Sequence, residues 1–308
     1  MSKIPKLLFL FLGAACLIPA ITTPMALAAG IAFSLIYGNP WPKKSIAVSQ
    51  KLLKLSVIGL GFGLSIQEVW TVGKDSIGYT IIGITLTIAT GLLLGRALHI
   101  RGNTSTLISC GTAICGGSAI AAMAPVIKAK DDETAVALAT IFTLNAVALI
   151  VFPMVGHYLN LTQHQFGVWA GLAIHDTSSV VGAAASYGAQ ALDIGTTVKL
   201  TRAAWIAPIA LGAGLLVRSG GKAKFPLFIL GFVAAATLHS ISPQLSNLWQ
   251  LLSTIARQFL VLTLFLVGAG ISREVLQKIG IRPMLQGLTL WIIVSIATLA
   301  AIITGLIV

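Results

Sequence analysis

The stretch GLAIHDTSSVVGAAA, residues 171–185, places a histidine, an aspartate and three hydroxyl side chains inside an apolar run of small residues. It aligns, at an offset of 60 residues, with the segment that begins GTAICGGSAIAAMAP at residue 111. A membrane helix tolerates such a run where it breaks and its freed backbone groups line a cavity. Close packing of small residues against a neighbouring helix is the alternative. We therefore predict a membrane protein with two helices broken near the bilayer midplane, at residues 115–118 and 175–179.

The composition assigns the chain to the polytopic α-helical membrane proteins. Charged residues make up 9% of its 308 positions and hydrophobic residues 56%, and apolar runs of membrane-spanning length recur from end to end. The net charge of +12 comes from basic residues in short loops, which favours a membrane topology over a nucleic-acid partner. The pattern predicts about eleven transmembrane segments, near 6–21, 23–38, 50–66, 76–95, 104–127, 133–156, 166–190, 197–217, 225–240, 247–271 and 284–307.

Loop charge predicts the orientation of these segments. With the N-terminus in the cytoplasm, 14 of the 20 Lys and Arg residues fall in inner loops, so we expect a cytoplasmic N-terminus and a periplasmic C-terminus. The first apolar run is predicted to be a retained helix, with signal-peptide cleavage as the alternative. Cys16, Cys110 and Cys115 lack the spacing of metal ligands or of a disulfide framework, so buried thiols are expected, with no metal and no cofactor.

A second internal match predicts an inverted-topology repeat. LGFGLSIQEVWTVG, residues 60–73, aligns with VGAGISREVLQKIG, residues 267–280, and each is expected to close one helix before another begins. We predict a single membrane transporter domain over residues 1–308, with repeat-related segments 50–96 and 257–305 and broken segments 104–127 and 166–190. Only one helix separates the broken segments, which makes them parallel. A re-entrant segment and shared packing chemistry both remain open explanations.

The breaks supply the candidate binding groups. A broken helix exposes N–H groups that attract an anion and carbonyls that attract a cation, and hydroxyls add further donors or acceptors. The predicted substrate-binding residues are Thr112, Cys115, Gly116, Gly117, Ser118, Thr177, Ser178, Ser179, Asn145, Lys199 and Arg202.

His175 and Asp176 are the predicted proton-coupling pair. A carboxylate near the midplane costs about 2.5 to 3.5 kcal/mol, so it should face a cavity or a partner, and histidine titrates near neutral pH. A buried polar contact between helices is the alternative. Lys199 and Arg202 share a helix face near the outer interface, where they could attract an anion over a cavity mouth or extend to the headgroups. Asn145 could bond another helix or contact substrate.

Several segments together resemble the YeiH family of bacterial inner-membrane proteins, which is labelled as sulfate exporters. The resemblance is carried by CGTAICGGSAIAAMAPVIKA, by the run from FTLNAVALIVFP to AIHDTSSVVGAAASYG, and by TTVKLTRAAWIAPIAL, flanked by GLGFGLS and FLVGAGIS. It covers nearly the whole chain except the first forty residues. It implies a ten- or eleven-helix transporter distantly similar to cation/proton antiporters and bile-acid/sodium symporters, with a core domain of broken, crossing helices that moves against a panel domain. The paired acidic ligands of the antiporters have no counterpart in CGGS.

The leading hypothesis is a secondary transporter that exports a small inorganic or organic anion, of the sulfate, sulfite or organosulfonate class, with proton coupling. Cation/proton antiport through Asp176 is the alternative, with sodium as its coupling ion. An intramembrane enzyme is disfavoured because the chain carries no nucleophile-elbow motif and no His/Asp metal pattern, so no enzymatic activity is expected. The expected location is the bacterial inner membrane, with the lipid bilayer as partner, a homodimer as one open oligomeric state and no nucleic acid bound.

Overall fold

The computed structural model describes residues 3–100, 102–206, 208–209, 212–213, 227–270 and 280–307. Every regular element in these ranges is helical, which confirms the predicted all-α class for this part of the chain. The α-helices are α1 Lys3–Ala15, α2 Thr23–Tyr37, α3 Pro42–Gly61, α4 Ile66–Ala97, α5 Thr104–Ala113, α6 Gly117–Val126, α7 Asp131–Tyr158, α8 Gln163–Ala173, α9 Thr177–Tyr187, α10 Ala189–Ala204, α11 Leu227–Ile241, α12 Ser246–Gly268 and α13 Ile281–Ile303.

Membrane-spanning length is clear for four stretches among the described residues. They are Ile66–Ala97, Asp132–Tyr158, Pro243–Gly268 and Ile281–Ile303, each long and apolar enough to cross a bilayer. Other apolar helices are shorter, including α1, α2, α6 and α11. A multi-pass membrane protein is therefore supported, while the count of eleven crossings and the orientation of the termini stay predictions.

The chain divides into two compact units. The first comprises residues 1–71 and 227–275, and the second comprises residues 72–226 and 276–308. Each unit combines segments that are distant in sequence, so a domain boundary could not be read from any linker.

Close helix packing at glycines holds the first unit together. Gly59 lies against Ala256 and Gly63 lies against Ser253, so α3 and α12 run antiparallel. A Cβ on Gly30 of α2 would clash with the carbonyl oxygen of Phe265 on α12. Small residues are therefore required where these helices approach.

The match between residues 60–73 and 267–280 falls on two helix ends of the first unit. Helix α3 ends at Gly61 and α12 ends at Gly268, the two glycines that the alignment pairs. In both, the next aligned glycine donates its N–H three residues back, Gly63 to Leu60 and Gly270 to Val267. The predicted helix closure is confirmed at both ends. Residues 271–279 of the second segment lie outside the described residues, and the inverted repeat itself stays a prediction.

Helices α4 to α10 and α13 build the second unit around the two broken segments. Gln286 of α13, fully buried, donates to the carbonyl of Gly91 on α4 at 2.8 Å and to the carbonyl of Ser105 on α5 at 3.2 Å. Because a buried amide donor needs partners, this side chain fixes α13 against both helices. Helix α13 packs against α5, α7 and α8.

Three predicted helix starts are wrong, and the largest difference is at α4, which begins at Ile66, ten residues before the predicted start at 76. Helix α3 begins at Pro42, where the segment 50–66 was expected, since proline at the first helical position starts a helix even among lysines. Helix α10 begins at Ala189, eight residues before the predicted start at 197. The side-chain oxygen of Gln163 accepts the N–H groups of Gln190 and Ala191, at 3.0 and 3.4 Å, and so caps α10 directly after α9. The end of the predicted segment 197–217 lies mostly outside the described residues.

Candidate functional site

The first broken segment changes direction at a glycine. Helix α5 ends at Ala113 and α6 begins at Gly117. Gly116 between them has a φ of +64°, a conformation that glycine enters without the steric cost of a side chain. A Cβ on Gly116 would lie 3.1 Å from the Cβ of Asp176 and 3.3 Å from its backbone nitrogen. Glycine is therefore needed both for the turn and for contact with the second break.

The second broken segment changes direction at an aspartate. Helix α8 ends at Ala173, and Asp176 is the N-cap of α9, which begins at Thr177. The Oδ2 atom of Asp176 accepts the N–H of Ser178 at 3.1 Å and also accepts its hydroxyl. Aspartate is a favoured N-cap, and its charge lies at the positive end of the helix dipole. The half-buried carboxylate thus closes the start of a half-helix.

The two breaks occupy the positions that the sequence alignment paired. The offset of 60 residues brings 114–116 onto 174–176, Gly116 onto Asp176 and Ser118 onto Ser178. The interruptions at 114–116 and 174–176 overlap the predicted breaks at 115–118 and 175–179, whose place near the bilayer midplane stays a prediction. The common origin and relative orientation of the two segments stay predictions.

Arg202 joins the carbonyl ends of both first half-helices. From α10, its Nε donates to the carbonyl of Ala113 at 2.5 Å, its Nη2 donates to the carbonyl of Thr112 at 3.0 Å, and its Nη1 donates to the carbonyl of Leu172. These carbonyls belong to the last turns of α5 and α8, where helices leave acceptors without internal partners. One guanidinium, only 2% exposed, therefore satisfies the negative ends of two half-helices.

Lys199 lies one turn earlier on the same face of α10. Its side chain is fully buried, and its Nζ donates to the carbonyl of Ile174 at 2.5 Å, directly after α8. The sequence prediction placed Lys199 and Arg202 near the outer interface, at a cavity mouth or reaching the headgroups, and that placement is wrong. Because α10 begins at Ala189, both residues lie in its second half, with Arg202 in its last turn, and both are buried against the breaks.

Asn145 lies at the contact of the two breaks. Its Oδ1 accepts the N–H of Asp176 at 3.2 Å, and its Nδ2 is buried with no hydrogen-bond partner among the described residues. The oxygen is identified by its bond to a backbone N–H, since only the carbonyl side of an amide accepts. One turn earlier on α7, the Cζ of Phe142 would be 3.0 Å from a Cβ on Gly117. The same face of α7 therefore covers the start of α6 and the start of α9.

His175 is enclosed without a polar partner. It has no exposed surface, and neither ring nitrogen has a hydrogen-bond partner within the part of the chain that the structure describes. Its ring lies 6.1 Å, between centroids, from that of Trp291 on α13, whose Nε1 is likewise buried and unpartnered there. Buried polar groups are almost always satisfied, so this pair is suited to contact a bound polar molecule. Sequence reasoning missed Trp291, because a tryptophan in an apolar helix carries no signal of its own.

The remaining predicted residues line the same breaks with different accessibility. Thr112, Cys115, Thr177 and Ser179 are buried, Ser118 is exposed, and Gly117 and Ser178 are half-buried. The hydroxyl of Thr112 has no hydrogen-bond partner among the described residues. Cys16, Cys110 and Cys115 are all buried free thiols, as predicted. Every residue predicted for the site thus lies on the elements that form the breaks or on a helix packed against them.

Comparison with known proteins identifies close relatives over the whole chain. The family model described as conserved hypothetical protein 698 matches residues 10–287. A UPF0324 membrane protein of Geobacter sulfurreducens is 56% identical over 301 residues, which cover 98% of this chain and 97% of the relative. A UPF0324 membrane protein of Bdellovibrio bacteriovorus is 50% identical over 311 residues, with 99% and 96% covered. No solved structure matches the chain.

Proposed function

The chain belongs to the UPF0324 family of membrane proteins, the YeiH-type family that its sequence resembles, and we propose that it is a secondary transporter of a small anion. In this proposal the anion binds where the two broken helices meet, and alternating access exposes that point to either side of the bacterial inner membrane. The proposal includes a cytoplasmic N-terminus, a periplasmic C-terminus and export of the anion.

The observation that carries the proposal is the pair of buried cations at the breaks. The carbonyl ends of α5 and α8 are the groups that would attract a transported cation, and Arg202 and Lys199 already donate to them. The other ends of the breaks present N–H groups, which attract an anion. A site with built-in cations, and with a half-helix start at α6 that has no carboxylate cap, favours an anion over sodium as the transported ion.

The proposal assigns proton coupling to His175 and Asp176. The imidazole has no hydrogen-bond partner among the described residues, so its protonation would break no existing bond. Asp176, the next residue after His175, is half-buried, and its carboxylate interacts electrostatically with the ammonium of Lys199. Gain or loss of a proton at either group would change the charge that the bound anion meets.

Uptake into proteoliposomes tests the transport of an anion. We expect saturable uptake of radiolabelled sulfate, sulfite or methanesulfonate, accelerated by a pH gradient. Lys199→Met should abolish this uptake, while the exposed Lys74→Gln serves as the matched control and should keep it. Each variant is first checked for a monodisperse profile in gel filtration. No flux of any tested anion through the well-folded wild type would refute the proposal.

The alternative, cation/proton antiport through Asp176, makes a different prediction in the same liposomes. A sodium gradient should then drive proton movement in the wild type, and Asp176→Asn should abolish it. The Asn variant keeps a good N-cap for α9, so its loss of activity would report on charge and not on folding. Under the anion proposal, sodium drives no proton movement in either protein.

A further inference from the structure

The N-terminal end of α6 differs from that of α9 in one chemical group. At α9 the carboxylate of Asp176 accepts both the N–H and the hydroxyl of Ser178. At α6 the equivalent cap is Gly116, which has no side chain and therefore gives no side-chain cap bond, and the thiol of Cys115 is hydrogen-bonded to the backbone of Ala119, one residue after Ser118. Ser118, the counterpart of Ser178, is exposed.

The hydrogen bonds from Ser178 to the carboxylate of Asp176 therefore show the geometry in which an external oxyanion could bind. They show how one oxyanion fits the first turn of a half-helix in this fold, with one N–H donor and one hydroxyl donor. The first turn of α6 offers the same two donors from Ser118, and a carboxylate or sulfonate oxygen is the acceptor that they match.

A buried donor without a partner stands beside this turn. The Nδ2 of Asn145 has no hydrogen-bond partner among the described residues, and only 4% of the side chain is exposed. Its Oδ1 is fixed by the N–H of Asp176, and the backbone of Asp176 abuts Gly116. The amide is therefore held at the start of α6 with a donor that needs an acceptor. A ligand oxygen there would satisfy it.

The charges of the site set the charge of the ligand. Lys199 and Arg202 contribute two positive charges, and Asp176 is the carboxylate whose field reaches Lys199. With both basic groups protonated, Asp176 ionised and the neighbouring His175 neutral, the site carries a formal charge of +1. An uncompensated charge inside a membrane is costly. One singly charged anion makes the site neutral, whereas a doubly charged anion leaves it with a net negative charge.

We propose that the first turn of α6, at Gly116–Ser118 with Asn145, is the binding site for a singly charged oxyanion, a carboxylate or a sulfonate. Ser118 binds it through its N–H and its hydroxyl, while the carboxylate of Asp176 already occupies the corresponding place at α9. The site therefore holds one anion and not two, and it prefers methanesulfonate or acetate to sulfate. This inference rests on the proposed function for its role in transport, but binding alone tests it.

The test measures ligand binding to the purified full-length protein by thermal shift, at constant sodium concentration and pH. Methanesulfonate, acetate, sulfate and chloride are the probes. Ligand binding to the folded state raises the melting temperature by mass action. We expect saturable stabilisation by methanesulfonate or acetate, at concentrations at which sulfate and chloride give no more than a general salt effect.

Variants of Ser118 locate the site. Ser118→Ala removes one hydrogen bond to a charged ligand and should raise the apparent Kd about tenfold. Ser118→Asp places a carboxylate in the first turn of α6, which suits the helix dipole, so the protein should fold and lose saturable binding. Ser186→Ala is the matched control, because the hydroxyl of Ser186 donates to the carbonyl of Ala183 on α9, and the Kd of this variant should stay within about twofold of the wild type.

Two results would overturn the inference. One is stabilisation by sulfate that exceeds that of both singly charged probes, and the other is unchanged binding in Ser118→Asp. Failure of the proposed function is distinguishable from both. If methanesulfonate binding depends on Ser118 but no anion enters proteoliposomes, the binding site is supported and the transport function is refuted. If anion uptake persists in Ser118→Asp, the transport function is supported and the binding site at α6 is refuted.

Discussion

The two breaks solve the same structural problem with different groups at one position. Both end a half-helix on carbonyls that a cation of α10 satisfies, and both start a second half-helix after three intervening residues. At the cap of the second half-helix, one break has Asp176 and the other has Gly116. At the break with aspartate a carboxylate of the chain accepts from the first turn of α9, while at the break with glycine the cap residue has no side chain to do so. The carboxylate that caps α9 has no counterpart at α6, and under our proposal the bound anion takes that place.

The largest expected effect concerns what the breaks share. Arg202→Met removes a guanidinium that donates to the carbonyls of Thr112, Ala113 and Leu172, and leaves these buried acceptors without partners. The free energy of unfolding should fall by about 3–5 kcal/mol, the largest loss expected for any of these variants. Lys199→Met removes one bond, to the carbonyl of Ile174, and should cost about 1–3 kcal/mol.

Melting temperatures of the purified proteins, followed by tryptophan fluorescence, rank the two variants. Arg202→Lys refines the ranking, because an ammonium cannot reproduce the fork of the guanidinium and should rescue only part of the loss. Equal melting temperatures for Arg202→Met and Lys199→Met would show that the two breaks are not held through the arginine.

A smaller effect is expected where the breaks touch. Gly116→Ala forces a side chain into a φ of +64° and places its Cβ 3.1 Å from the Cβ of Asp176. The conformation costs about 1–2 kcal/mol and the crowding about 1–3 kcal/mol. Gly78→Ala is the control, since a Cβ there meets nothing within 4 Å in the middle of α4, and alanine should stabilise that helix by about 0.5–1 kcal/mol.

Thermal unfolding in detergent measures both glycine variants. A melting temperature of Gly116→Ala equal to that of the wild type would mean that the breaks separate freely, and the contact through Gly116 would lose its structural importance.

The positions of the breaks could be predicted from sequence because the signal is local. Glycine at 116 and the aspartate at 176 interrupt runs of small residues, and the 60-residue offset aligns the two interruptions. The ends of α3 and α12 could also be predicted from the sequence, since Gly61 and Gly268 lie within matching segments. In each case the residues that cause the turn are the residues that the pattern contains.

The partners of the breaks could not be predicted, because they come from elsewhere in the chain. Lys199 was placed near a helix end, since no local pattern shows that Gln163 caps α10 from the start of α8. Once α10 begins at Ala189, Lys199 falls inside the helix and must find an acceptor. The contact of His175 with Trp291 likewise depends on how α13 packs, which composition does not encode.

The smallest expected effect is the difference in stability between serine variants at the starts of α9 and α6. Ser178→Ala removes the hydroxyl that bonds to the carboxylate of Asp176 and should lower stability by about 1 kcal/mol, the usual contribution of a hydrogen bond. Ser118→Ala removes an exposed hydroxyl at the equivalent position of α6 and should change stability by less than about 0.5 kcal/mol. Melting curves without added anion give the difference. With saturating methanesulfonate the gap should narrow, because Ser118→Ala then loses stabilisation that Ser178→Ala still gains. A gap that stays constant on addition of the anion would mean that both serines are only structural, and the glycine break would then be as closed as the aspartate break.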